Sequence, residues 1–219
     1  MLSTNFLGVL NDNFLKTLAC FVAVTWVGAE YEAPLVSVAA GSLVVPYVFL
    51  SPLAGRWSVI FNKIRVVRIA KFAEIPIMLL ASAGFLLEHV WMVMVAILLM
   101  GTQSSLFSPS KYGLIRDIGG TGHIALGAGH METVSFLGMI LGTMLASFFA
   151  QSVPSWGLSL IFLFFASAGF ASAMCLRARE SLPETSPETA SPLRYLIRSM
   201  GKAKRYKGLN SVVIALSVF

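Results

Sequence analysis

Long apolar runs separated by short polar stretches make up most of the chain. A bilayer core about 30 Å thick needs roughly 20 helical residues to cross it. Six runs reach that length, at about 3–29, 35–55, 68–87, 89–108, 123–151 and 157–176, and each is predicted to be a transmembrane helix. Residues 209–219 are apolar but too short to span, and read as the start of a seventh helix. Pro46, Pro52 and Pro76 fall inside these runs and are expected to kink helices rather than end them, because neighbouring helices and hydroxyls satisfy freed backbone groups. Gly138 and Gly142 form a small-xxx-small pair, and Ala166, Gly169 and Ala173 pave the sixth run. Both patterns suit close helix packing where apolar burial gives no drive.

Composition agrees with lipid as the solvent. The 219 residues are 57% hydrophobic and only 12% charged, with a mean hydropathy of +0.80, whereas soluble domains carry about 25% charged residues. The net charge of +6 does not indicate nucleic acid, because the basic residues lie between apolar runs and form no single basic face. Cys20 and Cys175 sit in apolar stretches and read as unreactive thiols. The N-terminus has no basic region and no small-residue cleavage site, so the first run is expected to stay as a span.

Charge placement predicts orientation. Apart from Lys16, every Lys and Arg falls in or beside an even-numbered connection. Arg56, Lys63, Arg65, Arg68 and Lys71 flank the second, Lys111 and Arg116 the fourth, and eight more from Arg177 to Lys207 the sixth. The odd connections hold Glu30, Glu32 and Glu88 and no cation. The positive-inside rule then puts the even connections and the N-terminus in the cytoplasm. Residues 177–208 are predicted to be a cytoplasmic basic linker. Its second half reads equally as an interfacial amphipathic helix or a solvated loop. Six spans (1–176), a linker and another apolar run are the layout of half a twelve-helix transporter.

Ionisable groups inside spans cost about 2.5–3.5 kcal/mol each on insertion scales, so those present merit a role. Asp12 and Lys16 lie four apart on the first span, with Asn5, Asn11 and Asn13 nearby. They read as a structural ion pair or, preferably, as a polar patch handling a charged ligand or a coupling ion. Glu74 follows Lys71 by three residues, which also fits a simple pair near the membrane surface. Glu132 has no local cation, so its partner is expected from another helix. Lys111 lies in Ser108-Pro109-Ser110-Lys111-Tyr112-Gly113. There, proline and glycine are expected to break the helix and converge backbone groups on an anion, or else Lys111 is a cytoplasmic anchor. His89, His123 and His130 are scattered, no nucleophile stands beside a base, and Gly119-Gly120-Thr121-Gly122 lacks the lysine of a phosphate loop. Neither enzyme chemistry nor a cofactor is indicated.

Four stretches resemble the lysophospholipid transporter family of the major facilitator superfamily. Asn11-Asp12-Asn13 resembles that family's Gly-Asp-Asn. Leu50-Ser51-Pro52-Leu53-Ala54-Gly55, followed by Lys63-Ile64-Arg65-Val66, resembles the superfamily's connection between spans two and three. Phe107-Ser108-Pro109-Ser110-Lys111-Tyr112-Gly113 is similar to Ser-Pro-Ala-Lys-Tyr-Gly, and Gly129-His130-Met131-Glu132 to Gly-Leu-Met-Glu. Val59 stands where the superfamily usually has an aspartate, and Asn11 where the family has glycine. The resemblance implies an all-α, major-facilitator-type six-helix bundle, the N-terminal half of a twelve-helix carrier in the bacterial inner membrane. It implies a lysophospholipid substrate flipped inward for reacylation. Asp12, Asn13, Lys16, Glu74, Lys111 and Glu132 would serve translocation, and Gly55, Lys63, Arg65 and Tyr112 gating at the cytoplasmic loop. The implied partners are a C-terminal half and an acyltransferase or acyl-carrier-protein synthetase. The rivals are a drug or small-solute antiporter using Glu132 or Asp12 as a proton site, and a non-transporting anchor for a lipid-modifying enzyme.

Overall fold

The computed structural model describes residues 1–28 and 32–177. The predicted linker beyond Arg177 and the predicted seventh helix at 209–219 lie outside the described residues, as does Glu30. Among the described residues there is no strand, and six helices are each long and apolar enough to cross a membrane. They are α1 (Leu2–Val27), α2 (Glu32–Ile60), α3 (Lys63–Leu86), α4 (Val90–Gly119), α5 (Ile124–Ser152) and α6 (Ser155–Met174).

All six predicted spans are present, and Pro46, Pro52 and Pro76 lie inside helices as expected. The predicted ends need correction where charges gather. The second helix runs on to Ile60, the third begins at Lys63 rather than 68, and the fourth continues to Gly119. Hydropathy reports the lipid-immersed part of a helix. The helix itself extends further, because its backbone bonds are internal and long basic side chains can reach toward the interface. The expected break at Pro109 and Gly113 does not occur, since α4 passes through both. No backbone anion cradle forms there. Only Phe61 and Asn62 separate α2 from α3. Gly120, at a φ of +69°, ends α4, and a short 3-10 turn at Thr121–His123 leads into α5.

α1 packs along α5 and α6, α3 along α6 and α4, and α4 along α2. The shared core contains Phe14, Leu15 and Leu18 of α1, Met78 and Phe85 of α3, Met100 of α4 and Phe162 of α6, all buried. Phe14 meets Phe162 edge-on at 5.3 Å between ring centroids, a favoured aromatic geometry. The glycine pair works as expected. A Cβ on Gly138 would lie 3.0 Å from the Phe6 carbonyl oxygen, and one on Gly142 would strike that of Leu10. Their absence lets α5 lie directly on the α1 backbone, where dispersion contacts replace the missing hydrophobic drive. Gly101 does the same between α4 and the α2 backbone at Ser42 and Leu43.

At the N-terminal end of the bundle Arg68 donates to the Ala173, Met174 and Leu176 carbonyls at 3.4, 3.2 and 2.9 Å. It satisfies the open end of α6 and complements the negative end of its dipole. α2 and α5 are the least buried of the six helices, so one side of the bundle, flanked by these two, stays open.

Candidate functional site

Polar side chains on α1 divide between two faces. On the α3 face, Asn11 Nδ2 donates to Glu74 Oε1 at 3.0 Å, and Lys71 Nζ donates to Glu74 Oε2 at 2.6 Å. The lysine and glutamate side chains are only 3% and 1% exposed. Lys71 lies about 12 Å into α3 at 1.5 Å per residue. The predicted Lys71–Glu74 pair therefore forms, but inside the bundle and not at the membrane surface. Gly8 and Gly169 make room for the lysine, and Phe107 offers its ring face at 5.7 Å. Each carboxylate oxygen of Glu74 is thus matched with a donor, leaving little for a ligand to exploit.

The second face looks toward α4 and the open side. Ser104 Oγ donates to Asp12 Oδ2 at 2.9 Å, and Lys111 Nζ donates to Asn5 Oδ1 at 3.0 Å. Asn5 and Asp12 are seven apart on α1, as are Ser104 and Lys111 on α4. Seven residues is close to two helical turns, so each pair shares one face, and the two faces meet. Asn5 Nδ2 also donates to Ser135 Oγ of α5 at 2.8 Å. Nearer the N-terminal end the Tyr112 hydroxyl donates to Glu132 Oε1 of α5. Glu132 does take its partner from another helix, though that partner is a phenol rather than a cation. Lys111 lies 5.0 Å from the centroid of the Tyr112 ring, within electrostatic reach of Glu132 and Asp12.

The Asp12–Lys16 ion pair, the less favoured of the two readings, does not form. Lys16 Nζ donates to Asn13 Oδ1 at 3.1 Å, and Asn13 Nδ2 to the Val9 carbonyl, while Asp12 turns to Ser104. A shared helix face permits an i,i+4 contact, but the hydroxyl on α4 offers Asp12 a partner without folding the lysine back. Asp12 Oδ1 remains buried with no hydrogen-bond partner. The open stripe therefore holds two carboxylates, Asp12 and Glu132, and two ammonium groups, Lys16 and Lys111. No two of these form an ion pair within 4 Å among the described residues. Asp12, Asn13, Lys16 and Lys111 are half-buried, while Glu132 is exposed.

The expected loop residues separate. Gly55 lies inside α2, not in a loop. Lys63 Nζ meets Asp117 Oδ2 of α4 at 2.8 Å, so this connection carries a cross-helix ion pair despite Val59. Arg65 is exposed on the outer side of α3, away from the stripe, and Tyr112 belongs to the stripe itself. Three residues of the stripe escaped the sequence reading. Ser104 holds Asp12, Gln103 accepts from Ser104 at 3.1 Å, and Tyr47 of α2 lies within electrostatic reach of Asp12. The run Gln103-Ser104-Ser105 inside an apolar span was the available signal for the first two. Nothing distinguishes Tyr47 in sequence from an interfacial tyrosine.

Among curated proteins none matches the chain. A family profile described as Major Facilitator Superfamily matches residues 5–219.

Proposed function

The chain belongs to the Major Facilitator Superfamily, a family of membrane transporters, and we propose that it carries lysophospholipids across a bacterial inner membrane for reacylation. The observation that carries this reading is the open stripe, where two carboxylates and two ammonium groups stand unpaired with one another along α1, α4 and α5. A lysophosphatidylethanolamine headgroup holds a phosphate and an ammonium. Lys111 and Lys16 suit the first, Asp12 and Glu132 the second, and the apolar helices around them suit the single tail. Exchanging protein–protein contacts for headgroup contacts offsets the desolvation that such charges otherwise cost.

In this proposal the bundle is the N-terminal half of a twelve-helix carrier with its N-terminus in the cytoplasm. A second bundle would sit against the open side between α2 and α5, and rocking of the halves would expose the stripe to each leaflet in turn. An acyltransferase partner would consume the product. The antiporter reading finds support in the unpartnered Asp12 Oδ1, a position where a carried proton would reside.

Uptake of labelled lysophosphatidylethanolamine by vesicles carrying the protein tests the proposal. Asp12→Ala and Lys111→Ala are each expected to abolish uptake at unchanged protein level. Normal uptake by both variants would overturn it, and a water-soluble substrate without lysolipid competition would favour the antiporter.

A further inference from the structure

α2 and α3 barely touch along their length, and a crevice of about 840 Å³ opens between them with α4 as its floor. That volume lies within the range of small-molecule sites. It opens on another side of α4 from the polar stripe of α1, α4 and α5, and Gln103 stands between the two. Its walls are almost entirely apolar. Ala70, Ala73 and Pro76 hollow out the α3 side, and Leu99 and Thr102 of α4 line the floor.

The dimensions match one leaflet of a bilayer. Arg65 and Trp57 stand at the N-terminal end, and Ile77 and Leu99 at the other. Arg65 to Ile77 is twelve residues, about 18 Å along α3, against about 15 Å for half the hydrocarbon core. A crevice of that length, open to the side of a membrane-spanning bundle, has the proportions of a lipid tail lying parallel to the helices. Trp57 marks the interfacial level, where indoles favour headgroup depth.

Charge identifies the head. Three basic residues lie near the start of α3. Lys63 is held by Asp117, and Arg68 is committed to the end of α6. Arg65 is exposed and makes no hydrogen bond or ion pair among the described residues. A guanidinium at headgroup level, with no carboxylate paired to it among the described residues, matches a phosphate diester and can bind it through two parallel N–H donors.

We propose that this crevice is a binding site for an anionic diacyl glycerophospholipid of the surrounding bilayer, one tail between α2 and α3 and its phosphate on Arg65. The site reports to the stripe through Gln103. This side chain lines the crevice, donates to the Ala70 carbonyl at 3.1 Å and places its Oε1 3.1 Å from Ser104 Oγ, where it competes with Asp12 for the single hydroxyl proton. Its occupant would therefore contact the neighbour of the Asp12 clasp without touching Asp12.

Native mass spectrometry of the 219-residue chain in micelles doped with phosphatidylglycerol or phosphatidylcholine tests the site. Both lipids carry a phosphate diester, but the choline ammonium of phosphatidylcholine neutralises its headgroup, so the charge of Arg65 predicts about tenfold preferential retention of the net-anionic phosphatidylglycerol. Arg65→Gln is expected to remove that preference while tail binding persists, and Ala73→Trp to remove retention of both lipids. The arginine side chain is exposed, so Arg65→Gln carries the test even if the larger substitution disturbs packing. A photoreactive residue at Ile69 should cross-link to lipid. Equal retention of the two lipids by the unaltered chain, or an undiminished preference in Arg65→Gln, would overturn the proposal. So would cross-linking of Ile69 to a second copy of the chain or to residues 178–219. None of these readouts depends on lysolipid transport.

Discussion

Glu74 and Asp12 both lie well inside membrane-spanning helices, α3 and α1, yet their surroundings differ in kind. Glu74 has a donor on each oxygen, one from Lys71 and one from Asn11, and is closed off between α1 and α3. Asp12 has one oxygen held by Ser104 and the other buried without a hydrogen-bond partner, next to the side that opens between α2 and α5. The closed pair is internally neutral and satisfied, so its energetic role is to fix α3 against α1. The open stripe leaves its charges without a direct ion pair, a state that in a membrane span points by default to a functional site. Under the proposed function, hydrogen-bond saturation and pairing would distinguish a structural ion from a working one better than depth in the membrane does.

The sharpest way to break this comparison is to unbalance the closed pair. Lys71→Met leaves Glu74 as a buried, uncompensated carboxylate, with an expected loss of about 3–5 kcal/mol in stability. Adding Glu74→Gln removes the charge while keeping an amide oxygen to accept from Asn11, and should recover most of that loss. Unfolding in mixed micelles, followed by circular dichroism, measures both. If Lys71→Met unfolds like the parent, the pair is not closed and the contrast with Asp12 disappears.

A smaller effect tests the seam that positions α1. A Cβ at Gly142 would press on the Leu10 carbonyl of α1, whereas one at Gly41 of α2 meets nothing within 4 Å. Gly142→Ala should cost about 1–3 kcal/mol through overpacking. Gly41→Ala should be neutral or stabilise by up to about 1 kcal/mol through helix propensity. Equal effects in the same unfolding assay would mean that α5 does not hold the stripe in register.

Much of this was legible in the chain. Span number, the placement of the prolines inside helices and the Gly138–Gly142 seam follow from hydropathy and residue size, both local properties. The i,i+3 spacing also announced Lys71–Glu74. Its depth was not legible, because a hydropathy window treats a neutralised pair as two separate polar insertions and pushes them toward the surface. The break expected at Pro109, and the less favoured Asp12–Lys16 pair, are both properties of one helix taken alone, while the outcome depends on what a neighbouring helix offers, such as the Ser104 hydroxyl. Tyr112–Glu132 and Lys111–Asn5 join residues 20 and 106 positions apart, and no pattern within one element encodes such meetings.

The smallest expected change in stability belongs to the residue with the largest expected functional role. Asp12→Asn keeps an oxygen to accept from Ser104 and removes a charge that no cation pairs with directly, so folding should shift by less than about 1 kcal/mol. The charge itself is what a substrate ammonium or a carried proton would use. Lysolipid uptake by vesicles should therefore fall to background in Asp12→Asn, while the unfolding midpoint stays near that of the parent. Glu74→Gln in the otherwise unaltered chain should show the reverse weighting, because it strands Lys71 in the interior: stability falls by more than in Asp12→Asn, and the folded fraction still transports. Measured side by side, a stable and inactive Asp12→Asn with a weakened but active Glu74→Gln would separate working from structural charge within one bundle. Loss of uptake in both, at equal stability, would show instead that the two carboxylates belong to a single network.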